Sequence, residues 1–140
     1  DTPALGTAAQ MFGKRVSDEE WEASARALIL AADAAGLEAH LKGAKASQLN
    51  RQSPDKMPLL FLTVMHDQLE CTRLLLAAKA DTNIADASGS TACYLAARND
   101  SASCLELLIG ASADVNRARL SGATPIYVAA QNDSRRCLRL

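Results

Sequence analysis

Gly122-Ala123-Thr124-Pro125-Ile126-Tyr127-Val128-Ala129-Ala130 repeats, with small changes, a stretch that lies 33 residues upstream: Gly89-Ser90-Thr91-Ala92-Cys93-Tyr94-Leu95-Ala96-Ala97. Extending the comparison at this offset aligns residues 119–140 with the start of 86–118, and 12 of the 22 aligned residues are identical. Residues 53–85 align with 86–118 at the same offset without a gap, with 10 of 33 identical. Those matches include Asp67/Asp100, Cys71/Cys104, Leu74-Leu75/Leu107-Leu108 and Asn83/Asn116. A fixed period of this size predicts a solenoid, in which each unit buries its apolar face against its neighbours.

Each unit reads as helix, short turn, helix, long loop. In 86–118, Asp86-Ala87-Ser88-Gly89 is turn chemistry. Thr91 is placed to N-cap a short helix that runs to about Arg98. Asn99-Asp100-Ser101 interrupts it. A second helix then carries Cys104, Leu105, Leu107, Leu108 and Ala111 on a broad apolar face.

Composition agrees. Apolar residues make up 49% of the 140 residues, but aromatics only 4%. The apolar content is chiefly Ala and Leu, both good helix formers, which predicts close-packed helices and leaves too little β-branched material for a large sheet. The net charge is −1 with the two signs interspersed. That pattern gives no basic tail for nucleic acid and no cationic patch for a membrane surface. No apolar run approaches the roughly 20 residues that span a bilayer, and no cationic start precedes an apolar segment as in a signal peptide.

The repeated stretches resemble the ankyrin repeat. Gly122–Ala130 is similar to that family's G-x-T-P-L-H-x-A-A, and Leu107-Leu108-Ile109-Gly110-Ala111-Ser112-Ala113-Asp114-Val115-Asn116 to its L-L-L-x-x-G-A-D-V-N. The resemblance covers about 53–140. It implies an all-α solenoid of stacked helix-turn-helix units with β-turn loops. Asp67, Asp100 and Asp133 stand where the family usually has glycine, and Lys79 and Ser112 replace a second glycine. Met57-Pro58-Leu59 is shifted by one position, so unit 53–85 is expected to be the most distorted.

Outside the regular units, residues 17–52 read as an N-terminal helical pair, a candidate degenerate repeat serving as a cap. Ser17-Asp18-Glu19-Glu20 is a capping box. Trp21, Ala25, Leu28, Ile29 and Ala32 share one helix face. Gly36 is expected to end that helix, with Leu37 and Leu41 on a shorter second one, and Ala31-Ala32 is matched to Ala96-Ala97. Residues 1–16 read as an extended arm. At the other end the incomplete unit 119–140 stops inside its second helix, leaving Cys137, Leu138 and Leu140 without a neighbour. The expectation is that the chain continues, with docking of this end on another body as the alternative.

No spacing in the chain builds a reaction centre. Cys71, Cys104 and Cys137 lie one period apart, too far for a disulfide or shared zinc ligation, and are expected to pack as small apolar residues, as is Cys93. His66 precedes Cys71 by five residues, but it falls at an inter-helix turn. Asp67, Asp100 and Asp133 are expected to cap the second helices. Arg135, Arg136 and Arg139 are expected to be a solvated face, or with Arg117 and Arg119 a surface for an acidic partner. The reading is therefore not an enzyme, with no cofactor and no metal.

In the ankyrin family, loop tips and first helices contact partners. Carried over by position, the resemblance marks Ala87, Ser88, Ser90, Arg98 and Asn99; in the last unit Leu120, Ser121, Ala123, Gln131 and Asn132; and in the first Pro54, Asp55, Met57, Met65 and His66. The expected function is a protein-binding adaptor using the concave face. The alternative is a non-catalytic subunit docked in a larger assembly, such as one peripheral to an organellar membrane complex. The expected partner is a protein, not a nucleic acid, and the expected location is intracellular, in the cytoplasm or an organelle.

Overall fold

The computed structural model describes residues 17–50 and 57–140. The expected arm at 1–16 and the positions Pro54 and Asp55 lie outside the described residues. Among those described, the elements are helices: α1 (Asp18–Leu30), α2 (Ala34–Leu41), α3 (Ala46–Leu49), α4 (Leu59–Met65), α5 (Leu69–Ala77), α6 (Ala92–Arg98), α7 (Ala102–Gly110), α8 (Pro125–Gln131) and α9 (Arg135–Leu138). The starts of α4, α6 and α8 are one period apart, as are those of α5, α7 and α9. The architecture is an all-α solenoid, with first helices α1, α4, α6 and α8 in one layer and second helices α2, α5, α7 and α9 in the other.

Local chemistry sets the helix starts. The Ser17 hydroxyl accepts the Glu20 amide and the Glu20 carboxylate accepts the Ser17 amide, completing the capping box. Thr91 and Thr124 accept the amides of Tyr94 and Tyr127 at 3.3 and 3.2 Å. Pro58 holds the equivalent place in front of α4 and offers no side-chain acceptor. Over its described residues, unit 53–85 nonetheless keeps both helix bounds of the next unit one period earlier. The distortion expected there is therefore confined, among those residues, to the N-cap of α4. Packing along the stack sets the helix register even without a hydroxyl cap.

The turn between helices uses one device throughout. Ala32, Asp67, Asp100 and Asp133 all have φ between 50° and 55°. The residue after each donates back to a carbonyl five residues earlier: Gln68 to Thr63 at 2.9 Å, Ser101 to Ala96 at 2.8 Å, Ser134 to Ala129 at 2.7 Å. This is the Schellman closure, which needs a left-handed residue. Ala32 takes that role in the N-terminal pair, so Ala31-Ala32 matches His66-Asp67 and not Ala96-Ala97, and Ala32 is exposed. Gly36 does not end the first helix. It lies inside α2, where its amide donates to the Asp33 N-cap at 2.9 Å. A Cβ on Gly36 would strike Asp33 Oδ2 and meet Leu28 Cδ2 at 2.8 Å, so glycine there admits both the capping carboxylate and the packing of Leu28.

The core runs along the stack between the layers. Ala92 to Ala97 are all buried, making α6 apolar all round, as a central helix must be. Leu28, Ile29, Leu37, Leu59, Leu75 and Leu108 are buried to within 2%. Several buried polar side chains bond to backbone carbonyls, although Gln68 Oε1 and Arg119 Nε are buried without a hydrogen-bond partner among the described residues. Thr63 Oγ1 donates to Leu60 O at 2.9 Å, and Gln68 Nε2 to Ile29 O at 2.6 Å across the first junction. Arg26 pairs with buried Glu22 at 2.6 Å and also donates to the Met57 carbonyl.

Side chains one period apart repeat the junction bonds. Asn50 and Asn83 accept the amides of Asp81 and Asp114, each at 2.8 Å. Asp100 does not cap the helix that follows it. Its carboxylate accepts the Cys137 amide and the Arg136 guanidinium, both at 3.1 Å, one unit further on. The left-handed turn aims the carboxylate at the neighbouring helix start. Partial burial raises the Asp100 pKa, but the Cys137 amide and Arg136 outweigh it and hold it below the ordinary carboxylate value. A depressed folded pKa gives stability that is fully present above the unfolded value, roughly 3.9, and is lost as pH falls from there through the lower folded value. The stability advantage of the native chain over Asp100→Asn is therefore expected to be larger at pH 7 than near pH 3. Urea titrations at both values measure it, and an advantage independent of pH would remove the carboxylate from the junction.

Candidate partner-binding surface

The loops are two linked β-turns. Gly89 N donates to Asp86 O, and Gly122 N to Arg119 O, each at 2.9 Å. Leu120 N bonds Ser88 O at 2.9 Å, joining one loop tip to the next. The Asp86 carboxylate accepts the Ser88 and Ser90 amides, each at 2.9 Å. Gly89 has φ +81°, and a Cβ on it would meet Leu120 N at 2.8 Å, so the close approach of the loops requires glycine.

This framework leaves Ala87, Ser88, Leu120 and Ser121 exposed at the tips, Leu120 by 83%. Ser90 is corrected. It is buried, its amide held by Asp86 and its carbonyl accepting the Asp86 amide at 3.0 Å, because the chain turns inward there to enter α6. Ala123 and Met57 at the equivalent positions are half-buried. The first helices end in a column of exposed side chains, Met65, Arg98 and Gln131, followed by the C-cap residues His66, Asn99 and Asn132. Asn132 also serves the junction, donating to Arg98 O at 3.3 Å.

Two surfaces escaped the sequence reading. Leu30 occupies the same column one unit before Met65 and is 62% exposed. Matching Ala32 to Asp67 reveals it, but that step is 35 residues, so a strict period passes it by. Ile126 and Tyr127 are 67% and 57% exposed, whereas Cys93 and Tyr94, one period earlier, are buried. Arg119 explains part of the contrast. Its guanidinium lies 5.0 Å from the Tyr94 ring centroid and donates to the Tyr94 hydroxyl at 3.2 Å. Ile126 also lines a groove with Ile109, Val115, Pro125 and Leu138. Of the residues expected to lack a neighbour there, Leu138 and Leu140 are exposed, but Cys137 is buried, its thiol 3.5 Å from Ala96 O.

The arginines of the last unit are engaged in part. Arg135 pairs with Asp133 and Arg136 with Asp100, each at 3.1 Å, and Arg117 donates to Asn83 O at 2.6 Å. His66 is exposed while Cys71 is buried, and His40 is buried against Trp21 with ring centroids 4.8 Å apart. Among the described residues, no group of three or more His, Cys, Asp or Glu could hold a metal ion.

All four cysteines are buried and free. Desolvation raises every thiol. Cys93, also facing Asp114, and Cys137, also facing Asp100, are pushed up to about 11. Because the thiolate is the reactive form, a disulfide reagent at pH 8 is expected to leave the folded protein unmodified over minutes and to titrate four thiols in denaturant. Rapid modification of the folded chain would contradict this burial.

A linear stack of helix pairs, with turn loops along one edge, defines a repeat scaffold, a class that works by presenting a face. Ankyrin repeats, in three copies, match residues 28–119 and 60–140. The chain belongs to the ankyrin-repeat family, whose members are generally protein-binding modules. No curated protein matches the sequence. Among the described residues, no helix is long and apolar enough to cross a membrane.

Proposed function

We propose that this chain is a non-catalytic adaptor that binds a partner protein through its concave face. The contacts are Met65, His66, Arg98, Asn99, Gln131 and Asn132 from the first helices, and Ala87, Ser88, Leu120, Ser121 and Ala123 from the loops. The observation that carries this reading is the exposure of large side chains at equivalent positions, Leu30, Met65 and Arg98, on helices whose other faces are packed. In the same reading, 17–52 is a degenerate repeat that caps the stack, supported by the left-handed Ala32 in the place of Asp67.

Purifying a tagged chain from its native source, with and without the paired changes Arg98→Ala and Leu120→Ala, tests the reading. A stoichiometric protein lost with the double variant is the expected result. A structural subunit is the second reading, favoured by the exposed Ile126 and Tyr127. It predicts instead a stoichiometric set that survives those changes and is lost with Ile126→Ser and Tyr127→Ser.

A further inference from the structure

The concave face is chemically graded along the stack. At one end, Ala27 and Leu30 of α1 adjoin Leu62 and Met65 of α4 at equivalent positions, and Ala27, Leu30 and Met65 are exposed while Leu62 is half-buried. One unit on, α6 presents buried Leu95 and exposed Arg98 in the same places. The Arg98 guanidinium meets no carboxylate among the described residues, since Asp100 already holds Arg136 and Asp133 holds Arg135. The surface thus offers two apolar steps followed by one cationic step.

Spacing selects what fits. Packed helices lie about 8–10 Å apart, which sets the distance between successive steps. An α-helix rises about 10.5 Å in seven residues and returns to nearly the same face, drifting by roughly 20°. An extended strand also covers about 10 Å in three residues, but three residues carry the side chain to the opposite face. Building on the concave-face reading, we propose that the occupant is an amphipathic α-helix laid across α1, α4 and α6. It carries apolar side chains one heptad apart, over Leu30 and Met65, and a carboxylate a further heptad on, against Arg98.

The test uses the full chain and a synthetic helix of about three heptads built on Ala and Gln, with Leu, Leu and Glu at one position of successive heptads. A twin carries Lys in place of Glu. Fluorescence anisotropy of labelled peptides reads the affinities. The Glu helix is expected to bind about fivefold or more tightly than the Lys twin, because an exposed charge pair is worth little and its reversal costs a similar amount. Arg98→Glu is expected to invert that order, and Leu30→Ser with Met65→Ser to weaken both peptides. Leu30, Met65 and Arg98 are all exposed, and circular dichroism confirms the fold of each variant.

Equal binding of the two peptides, or an order that survives Arg98→Glu, overturns the proposal. So does a dimer of the native chain that Leu30→Ser dissolves, because the face is then covered by a second copy. If the peptides bind alike while Arg98→Ala with Leu120→Ala still loses a purified partner, the concave-face reading stands and only the helical, acidic chemistry falls.

Discussion

Leu75→Ala is expected to destabilise the protein by about 3 kcal/mol. Leu75 is fully buried in α5, which packs on α2, α4 and α7. Its carbonyl accepts the Ala80 amide at 3.0 Å, fixing the end of the helix. Truncation removes roughly three methylene-sized groups at about 0.8 kcal/mol each and leaves a cavity between units. That cavity is hard to collapse, because α5 is held on both sides and cannot approach one neighbour without leaving the other. Leu69→Ala in the same helix is the control. Leu69 is 37% exposed, so its loss is expected to cost about 1 kcal/mol or less. Urea denaturation checks both through the midpoint at constant slope. Equal losses would mean that the interior at Leu75 is not close-packed.

Gly89→Ala is expected to cost about 2–3 kcal/mol and Gly122→Ala about 1–2 kcal/mol. Both glycines are left-handed, with φ +81° and +90°. A side chain at either position meets the conformational penalty of roughly 1–2 kcal/mol. Only at Gly89 does the new Cβ strike backbone, Leu120 N at 2.8 Å and Arg119 Cα at 3.2 Å, whereas at Gly122 nothing lies within 4 Å. The clash pushes the loops apart and breaks the bond from Leu120 N to Ser88 O, a net loss of about 0.5–1.5 kcal/mol. Thermal or urea unfolding of the two variants gives the difference directly. The outcome that sinks the argument is a Gly122→Ala as damaging as Gly89→Ala. Losing only the conformational part at both sites would mean that the loop-to-loop bond adds nothing.

Much of the fold was legible because the repeat writes it several times. The Thr91 cap, the end of α6 at Arg98, the Ser17 capping box and the buried cysteines all follow from local rules applied within the period. The misreadings have physical causes. Glycine is usual at a helix end, but Gly36 makes room for Asp33 and Leu28 while Ala32 takes the left-handed turn. Local rules give Asp100 to its own helix, and only the stacked geometry shows its carboxylate reaching Cys137 in the next unit. Ser90 lies close in sequence to the tip residues Ala87 and Ser88, yet the inward turn that Asp86 holds buries it. Leu30 does not follow from the period, because the step from the N-terminal pair to the next unit is two residues longer. Exposure at a junction depends on what the neighbouring unit supplies, which a single unit's sequence does not state.

The bonds between units run from each unit to the next: Asn50 to Asp81, Asn83 to Asp114, Asp100 to Cys137. Mechanically, a protein joined in this way is a row of coupled springs rather than one block. Tension along the row peels units from an end in succession, and on release they can rewind in the reverse order. A helix lying across α1, α4 and α6 would clip three springs together. Occupancy would then register as stiffness, and a pulled chain would hold its partner less tightly than a slack one.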